Sequence, residues 1–146
     1  MKIAIGSDHG GYLLKEEIKN HLLNKGYEVE DVGTYSKESC HYPEFGIKAA
    51  ELVAQQECDY GVLVCTTGEG ITMAANKVLG IRCGIGYNDE VAKMMRQHNN
   101  ANIIAFGASY TTPEEANRRV DIFLNTEFEG GRHQVRVGMI EDYEKK

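Results

Sequence analysis

Short apolar runs alternate with amphipathic segments along the whole chain, and this alternation limits the possible folds more than any other feature of the sequence. Tyr60–Cys65 is almost entirely apolar, as expected of a strand buried on both faces of a parallel sheet. Leu14, Ile18 and Leu22 recur at helical spacing. The full pattern predicts strands at 2–6, 27–32, 60–65, 81–86 and 102–106, and helices at 12–25, 44–56, 71–79, 89–98, 112–125 and 134–143. Strands that regularly alternate with helices indicate an α/β fold with an open, five-stranded parallel sheet.

Length and charge exclude several classes of protein. The chain has 146 residues, enough for one domain with a core of its own. Its 16 basic and 22 acidic side chains give a net charge of -6, so it lacks the basic surface that binds nucleic acid or an anionic membrane. No apolar stretch approaches the ~20 residues of a membrane span, and the opening residues do not resemble an export signal. We therefore expect a cytoplasmic protein. Its four cysteines form no CxxC pair, which predicts reduced thiols rather than disulfides or a structural zinc site.

The loop from Cys65 to Gly70 carries the strongest chemical signal. Glycines at 68 and 70 leave backbone N–H groups free at the start of the following helix, an arrangement that binds anions. It is not a nucleotide-binding P-loop, because no Gly-Lys-Ser/Thr follows. Cys65 ends its strand at this helix N-terminus, where the helix dipole favours a thiolate. The thiol is therefore either a base or nucleophile beside an anion site, or a small buried side chain that ends a strand.

Two imidazoles and two arginines could complete such a site. Asp8 and His9 lie in the turn after the first strand, at the sheet edge where α/β proteins bind ligands. His98 closes the fourth helix, where a histidine is also stabilising without any catalytic role. Arg132 and Arg136 lie one helical turn apart, a spacing that suits a phosphate dianion. Together these residues indicate proton transfer next to a phosphate, without a metal or a dinucleotide.

Seven motifs occur in order and at compatible spacing over the whole chain. They are the opening IAIGSDHGG, Tyr42-Pro43, the Cys-x-Thr-Gly-x-Gly-Ile loop at 65–71, Ala74-Ala75-Asn76-Lys77, Arg96-Gln97-His98-Asn99, the strand and turn at 102–107, and Glu129-Gly-Gly-Arg-His-Gln-x-Arg-Val137. Together they resemble the type B ribose-5-phosphate isomerases, of the RpiB/LacAB sugar-phosphate isomerase family.

The resemblance implies a Rossmann-like sheet in a three-layer α/β/α sandwich, with the last helix packed on a dimer partner. It also implies a homodimer, or a dimer of dimers, whose active sites lie between subunits. The implied reaction is the isomerisation of an aldose phosphate to its ketose through an enediolate, without a metal or any other cofactor. Ribose 5-phosphate and ribulose 5-phosphate are the expected pair.

The resemblance implies a role for each site residue as well. Cys65 would be the base that moves a proton between C2 and C1, Thr67 would relay a hydroxyl proton, and His98 would open the furanose ring. The enediolate oxygens would be held by backbone N–H groups of Thr66, Thr67, Gly68, Glu69 and Gly70. Sugar oxygens would be bound by Asp8, Tyr42 and Asn99, and the phosphate by His9, Arg132 and Arg136.

Three positions depart from the usual pattern of that family. Thr66 stands where glycine is common, Glu69 where a neutral residue is common, and Ser109 where a phosphate-binding arginine is usual. We expect Glu69 to point outward and to complement the helix dipole. Two alternatives stay open: an isomerase of a hexose 6-phosphate (allose or galactose), and a non-catalytic sugar-phosphate-binding domain. The second is disfavoured because binding alone does not need Cys65 and His98 together.

Overall fold

Five parallel strands form one sheet in the computed structural model, which describes residues 1–146. The strands are β1 Lys2–Ser7, β2 Glu28–Gly33, β3 Tyr60–Cys65, β4 Cys83–Ile85 and β5 Ile103–Gly107, in the order β2-β1-β3-β5-β4. The helices are α1 Tyr12–Asn24, α2 Tyr42–Ala54, α3 Glu69–Ala75, α4 Asp89–Gln97, α5 Pro113–Leu124 and α6 Arg132–Glu144. Short 3₁₀ turns follow β1 at His9–Gly11 and β5 at Ala108–Tyr110. The α/β fold predicted from the sequence is confirmed.

The strands alternate their side chains between two hydrophobic cores, one on each face of the sheet. Val62 and Val64 point into the core formed with α1, α4 and α5. Leu63 and Cys65 point into the core formed with α2 and α3. Helices therefore cover both faces, which gives the three-layer α/β/α sandwich. The Cys65 side chain points to the side of the sheet that α2 and α3 cover.

The fourth strand and the third helix are shorter than the sequence pattern predicts. The strand expected at 81–86 is confined to Cys83–Ile85 because the Asn102 side chain, rather than a strand partner, accepts from the Arg82 N–H at 2.8 Å. The helix expected at 71–79 spans Glu69–Ala75. Directly after it, the Asn76 side chain exchanges two hydrogen bonds with the backbone of Cys83, at 2.7 and 3.0 Å. These bonds tie the end of α3 to β4.

Two other helices begin two residues earlier than predicted. α2 begins at Tyr42 rather than at 44, because Pro43 occupies its first turn, where a missing N–H breaks no helical hydrogen bond. α6 begins at Arg132 rather than at 134, so both arginines of the predicted pair lie within the helix.

A buried ion pair fixes the edge strand β2 to α1. Lys15 is fully buried, and its Nζ donates to both carboxylate oxygens of Asp31, at 2.6 and 2.7 Å. Burial alone raises the pKa of Asp31, but hydrogen bonds from Lys15, from the Gly33 N–H and from Lys19 outweigh it, and the pKa lies below its usual value. In the segment 27–32 the polar residues Glu28, Glu30 and Asp31 alternate with apolar ones, which predicts that Asp31 faces solvent; this is wrong, because its side chain is largely buried against Lys15.

The last helix leaves most of its apolar side uncovered. Only His133 and Val137 of α6 are buried, whereas an apolar face of four residues is exposed: Val135, Met139, Ile140 and Tyr143. We refer to these four residues as the α6 face. It borders an open depression that also includes the exposed Leu79. None of the helices in the chain has the length and apolar character that a bilayer span requires.

Candidate active site

The loops after β1 and β3 meet at the carboxyl edge of the sheet. β1 and β3 are neighbours in the sheet, with Ser7 opposite Val64. The chain runs from β1 to β2, which lies on one side of β1, and then to β3, which lies on its other side, so the direction of strand addition reverses between β1 and β3. A crevice at such a reversal is where open α/β sheets bind ligands. The loops touch closely, since a Cβ at Gly10 would overlap Thr66 Oγ1. The sequence-predicted juxtaposition of the Asp8–His9 turn with the Cys65 loop is therefore present.

The loop of residues 65–70, which we call the thiol loop, wraps around a buried sulfur. Gly68 has φ +84°, a left-handed conformation that glycine adopts without strain, and its N–H donates to Cys65 Sγ at 3.2 Å. The Cys65 side chain is only 4% exposed. The N–H groups of Thr66 and Thr67 donate to no protein acceptor. Those of Gly70 and Ile71 lie in the first turn of α3, where helical N–H groups lack an intrahelical partner.

Tyr42 packs against this loop, and Asp8 caps the neighbouring turn after β1. The Tyr42 ring lies over Gly70, where a Cβ would come within 2.6 Å of Tyr42 Cζ. Asp8 is buried, and its Oδ1 accepts from the Gly11 N–H at 3.1 Å, which caps the short 3₁₀ turn. Glu69 is exposed as the first residue of α3, consistent with the expected outward position.

The loop after β5 supports the thiol loop from behind. A Cβ at Gly107 would lie 2.5 Å from the Thr67 carbonyl oxygen, so the two backbones are in direct contact. The Ser109 N–H donates to the Thr66 carbonyl at 3.1 Å. Ser109 itself is exposed. Backbone atoms of the loop after β5 thus hold the thiol loop in place.

His9 has a partner that the sequence did not indicate. The backbone N–H of Cys40 donates to His9 Nδ1 at 3.2 Å. Since Nδ1 accepts this bond, the proton of the neutral ring is on Nε2, which is free to donate. Cys40 is 31 residues away along the chain, and no local spacing pattern connects the two.

A second group of site residues lies where α4 ends and α6 begins. The His98 and His133 rings stack with centroids 4.4 Å apart and an interplanar angle of 13°. Glu129 Oε1 lies 3.9 Å from His98 Nε2 and 3.5 Å from His133 Nε2. We call His98, Glu129 and His133 the histidine cluster. Burial, followed by the electrostatic influence of His98 and of the Arg132 guanidinium, lowers the pKa of His133 against the opposing effect of the Glu129 carboxylate.

The predicted arginine pair lies at the start of α6, beside this cluster. Arg132 and Arg136 are exposed and one turn apart. Ion pairs in the chain involve other arginines, namely Arg82, Arg118 and Arg119. Both guanidiniums of the pair therefore remain available to an anion.

A buried arginine holds the turn that carries His98. Arg96 Nη1 donates to Asn100 Oδ1 at 2.9 Å and to the Ala101 carbonyl at 2.7 Å, and Nε donates to the Thr126 carbonyl at 3.1 Å. Asn100 has φ +48°, a left-handed conformation that this bonding supports. Arg96 thereby links the His98 turn to the segment that leads to Glu129.

Within one chain, no hydrogen bond joins the thiol loop to the histidine cluster. Thr67 and Asn99 both line one open groove of about 690 Å³, together with apolar side chains that include Ile85 and Met95. Cys65, His98, Arg132 and Arg136 are absent from its lining. The chain thus brings together two partial sites rather than one complete one.

Comparison with known proteins decides the family. The family model for ribose/galactose isomerases matches residues 3–140. The chain belongs to this family. Ribose-5-phosphate isomerase B of Escherichia coli is 46% identical to it over 145 residues, which cover 99% of this chain and 97% of the relative.

Solved structures of family members have the same fold as this chain. Ribose-5-phosphate isomerase B of Clostridium thermocellum superposes with a TM-score of 0.98 at 53% identity, covering 99% of this chain and 98% of that one. The Mycoplasma genitalium enzyme, solved with bound ribulose 5-phosphate, superposes with a TM-score of 0.95 at 41% identity, covering 99% and 97%. The family resemblance noted in the sequence is confirmed.

Proposed function

We propose that the protein is an isomerase that interconverts ribose 5-phosphate and ribulose 5-phosphate. The observation that carries the proposal is the buried Cys65 thiol, which accepts from the Gly68 N–H at 3.2 Å inside a loop with unpaired N–H groups. A base and donors for a developing oxyanion thereby share one loop. Family membership and the relative with bound ribulose 5-phosphate support the choice of substrate.

In the proposed reaction, the Cys65 thiolate removes the proton from C2 of the open-chain aldose. The C–H electrons form the C1–C2 double bond, and the carbonyl electrons move to O1, which the free N–H groups of the thiol loop stabilise. Thr67 relays the hydroxyl proton from O2 to O1. The Cys65 thiol then returns its proton to C1 as the carbonyl forms at C2, which regenerates the thiolate.

The remaining residues bind the sugar or open its ring. His98 acts as acid and base on the furanose, whose opening must precede proton abstraction. Asp8, Tyr42 and Asn99 bind sugar oxygens. The His9 Nε2–H, Arg132 and Arg136 bind the phosphate, for which two guanidiniums without carboxylate partners are suited.

Because backbone dipoles stabilise the enediolate, the reaction needs neither a metal nor another cofactor. The rate of protein treated with EDTA should equal that of untreated protein. Restoration of a chelated sample by a divalent ion would contradict this mechanism.

We further propose that the active protein is a homodimer, alone or in a dimer of dimers, with sites built from both subunits. Two observations support this arrangement: one chain holds two partial sites, and the α6 face is exposed and apolar. A second copy could cover that face and bring its histidine cluster to the thiol loop. The whole chain would then act as a single sugar-phosphate isomerase domain. Its four unpaired cysteines suit the reducing cytoplasm.

Hybrid dimers test the shared site. Cys65→Ser and His98→Asn parents should each be inactive, but a mixture refolded together should recover activity, because one site in each hybrid is then wholly wild type. The Cys65→Ser chain should likewise complement an Arg132→Ala/Arg136→Ala chain. Hybrids that form and stay inactive in both combinations would show that each site lies within one chain.

A coupled assay over pentose and hexose phosphates tests the substrate. We expect the highest kcat/KM with ribose 5-phosphate. Preference for allose 6-phosphate or galactose 6-phosphate would move the protein to the hexose branch of the same chemistry. Binding without turnover of any sugar phosphate would identify it as a non-catalytic binding domain.

A further inference from the structure

The histidine cluster has the composition of a transition-metal site, and we propose that it reversibly binds a zinc ion that inhibits the enzyme. His98, Glu129 and His133 each offer one ligand atom, and these atoms lie within 4.8 Å of one another. Two imidazoles and one carboxylate form a ligand set that zinc accepts, with a fourth position open to water. Zinc binding does not depend on the proposed function, whereas inhibition rests on the role proposed for His98.

The ligand atoms are close together, but the two rings must turn to reach a common ion. Both Nε2 atoms already lie near Glu129 Oε1, at 3.9 and 3.5 Å. The stacked rings must tilt out of their parallel arrangement, because zinc–nitrogen bonds are about 2.0–2.1 Å long and converge on one point. The side chains of His98 and Glu129 are 33% and 49% exposed, so they are free to turn and the ion can enter from solvent.

Two features make the site weaker than a resident structural zinc site. In structural zinc sites, each histidine ligand donates the N–H of its second ring nitrogen to a protein acceptor. In this chain the histidine rings with close hydrogen-bond partners are His9 and His21, and neither ring of the cluster has one. The positive charges of Arg132 and Arg136 also oppose a cation, against the single carboxylate of Glu129. This balance favours reversible binding over a permanently bound ion.

Zinc in the cluster would occupy the Nε2 lone pair of His98. The imidazole could then no longer exchange a proton with the furanose ring. Turnover of cyclic ribose 5-phosphate would stop even though Cys65 stays intact. Magnesium should not bind, because it prefers oxygen ligands in octahedral geometry.

Zinc titration of the EDTA-treated, dialysed full-length protein tests the proposal. Competition with a chromophoric chelator measures stoichiometry, and initial rates measure inhibition. We expect one zinc ion per chain, a rate at least about 100-fold lower at saturation because the acid–base role of His98 is lost, full recovery with EDTA and no effect of magnesium. Absence of stoichiometric binding would overturn the site. Stoichiometric binding without inhibition would overturn the inhibitory role.

Four variants locate the ion. Glu129→Gln and His133→Asn should each weaken zinc binding by at least about tenfold, since even partners outside the ligand set contribute 10–100-fold. Cys40→Ala and Cys65→Ser are controls that test whether zinc binds to a cysteine thiol instead. Both variants should bind zinc as tightly as wild type. Loss of binding in a thiol variant, with normal binding in Glu129→Gln, would refute the assignment. Zinc binding to a protein without isomerase activity would refute the proposed function and leave the metal site standing.

Discussion

Replacing Gly107 with alanine tests how the position of the thiol loop determines the rate. A Cβ at Gly107 would lie 2.5 Å from the Thr67 carbonyl oxygen and 2.7 Å from its carbon. Ordinary contact begins at 3.4 Å, so the carbonyl must retreat by about 0.9 Å. Gly107 is buried and paired with Cys65 across two central strands, whereas Thr67 is exposed. The loop is therefore the part that moves.

A displacement of about 1 Å in a catalytic group can reduce the rate by about 100-fold. We expect kcat of Gly107→Ala to fall by roughly that factor, about 2.7 kcal/mol in activation free energy. KM should change little, because His9, Arg132 and Arg136 do not contact Gly107. Steady-state kinetics with ribose 5-phosphate measures both constants, and circular dichroism shows that the variant is folded.

Gly61→Ala is the matched control. Its Cβ would meet only side-chain atoms of Ile103 and Val53, at 3.0 to 3.3 Å, at the amino end of β3. It should lower the melting temperature while kcat stays at the wild-type value. A folded Gly107→Ala protein with wild-type kcat would refute the argument that this contact sets the position of the thiol loop.

Three further substitutions test other parts of the account. His98→Asn should fail on the cyclic furanose yet retain activity on a tetrose phosphate, which cannot cyclise; equal loss on both would place His98 in the hydrogen transfer instead. Cys40→Pro removes the N–H that orients His9 and should raise KM about fivefold, as expected for about 1 kcal/mol, whereas Cys40→Ala keeps the N–H and the wild-type KM. Comparable KM values in the two Cys40 variants would contradict the role of that bond. Asp31→Asn leaves the buried Lys15 with Glu16, at 3.2 Å, as its remaining carboxylate partner, and should cost about 3 kcal/mol in the free energy of unfolding at neutral pH, the low end of the range for a broken buried pair. The pKa of Asp31 is lower in the folded protein than its ordinary value of 3.8. Ionised Asp31 therefore stabilises the folded state fully above pH 3.8, and this stabilisation is lost as the pH falls through the pKa of the folded state. Urea unfolding should therefore show wild type and variant converging in acid, and a gap that does not narrow would contradict the sign.

Local patterns in the sequence were sufficient for the architecture. The apolar run at 60–65 predicts the bounds of β3 as the structure has them, and Thr112-Pro113 predicts the start of α5. The glycines at 68 and 70 predict the turn that surrounds Cys65. Each of these features depends on residues adjacent in the chain, where backbone conformation and side-chain periodicity can be inferred directly.

Contacts between distant segments could not be predicted in this way. No local pattern pairs Lys15 with Asp31, because their contact forms only when α1 packs beside β2. The hydrogen bond between Cys40 and His9 likewise joins segments that are distant in the sequence, so no local pattern predicts it. The stacking of His98 on His133 depends on how α6 folds back onto the end of α4, across 35 residues. Glu129 and His133 are four residues apart, but Glu129 precedes α6, so helical spacing does not predict their contact.

The family resemblance supplied the roles that local patterns leave open. From the residues alone, the thiol of Cys65 could equally have been a small buried side chain at the end of a strand. An exposed fraction of 4% is compatible with both interpretations. The hydrogen bond from the Gly68 N–H to the sulfur favours a catalytic role over a purely structural one. The assignment of Cys65 as the base stays a prediction.

Turnover of ribose 5-phosphate by Cys65→Ser tests the central claim most directly. Wild-type protein treated with EDTA should convert ribose 5-phosphate to ribulose 5-phosphate. The serine variant should fold, bind a phosphate ligand as tightly as wild type and show almost no turnover, because proton abstraction is lost while the anion site remains. Turnover by the serine variant at the wild-type rate would contradict the role of Cys65, and absence of turnover in the wild type would contradict the proposed function itself.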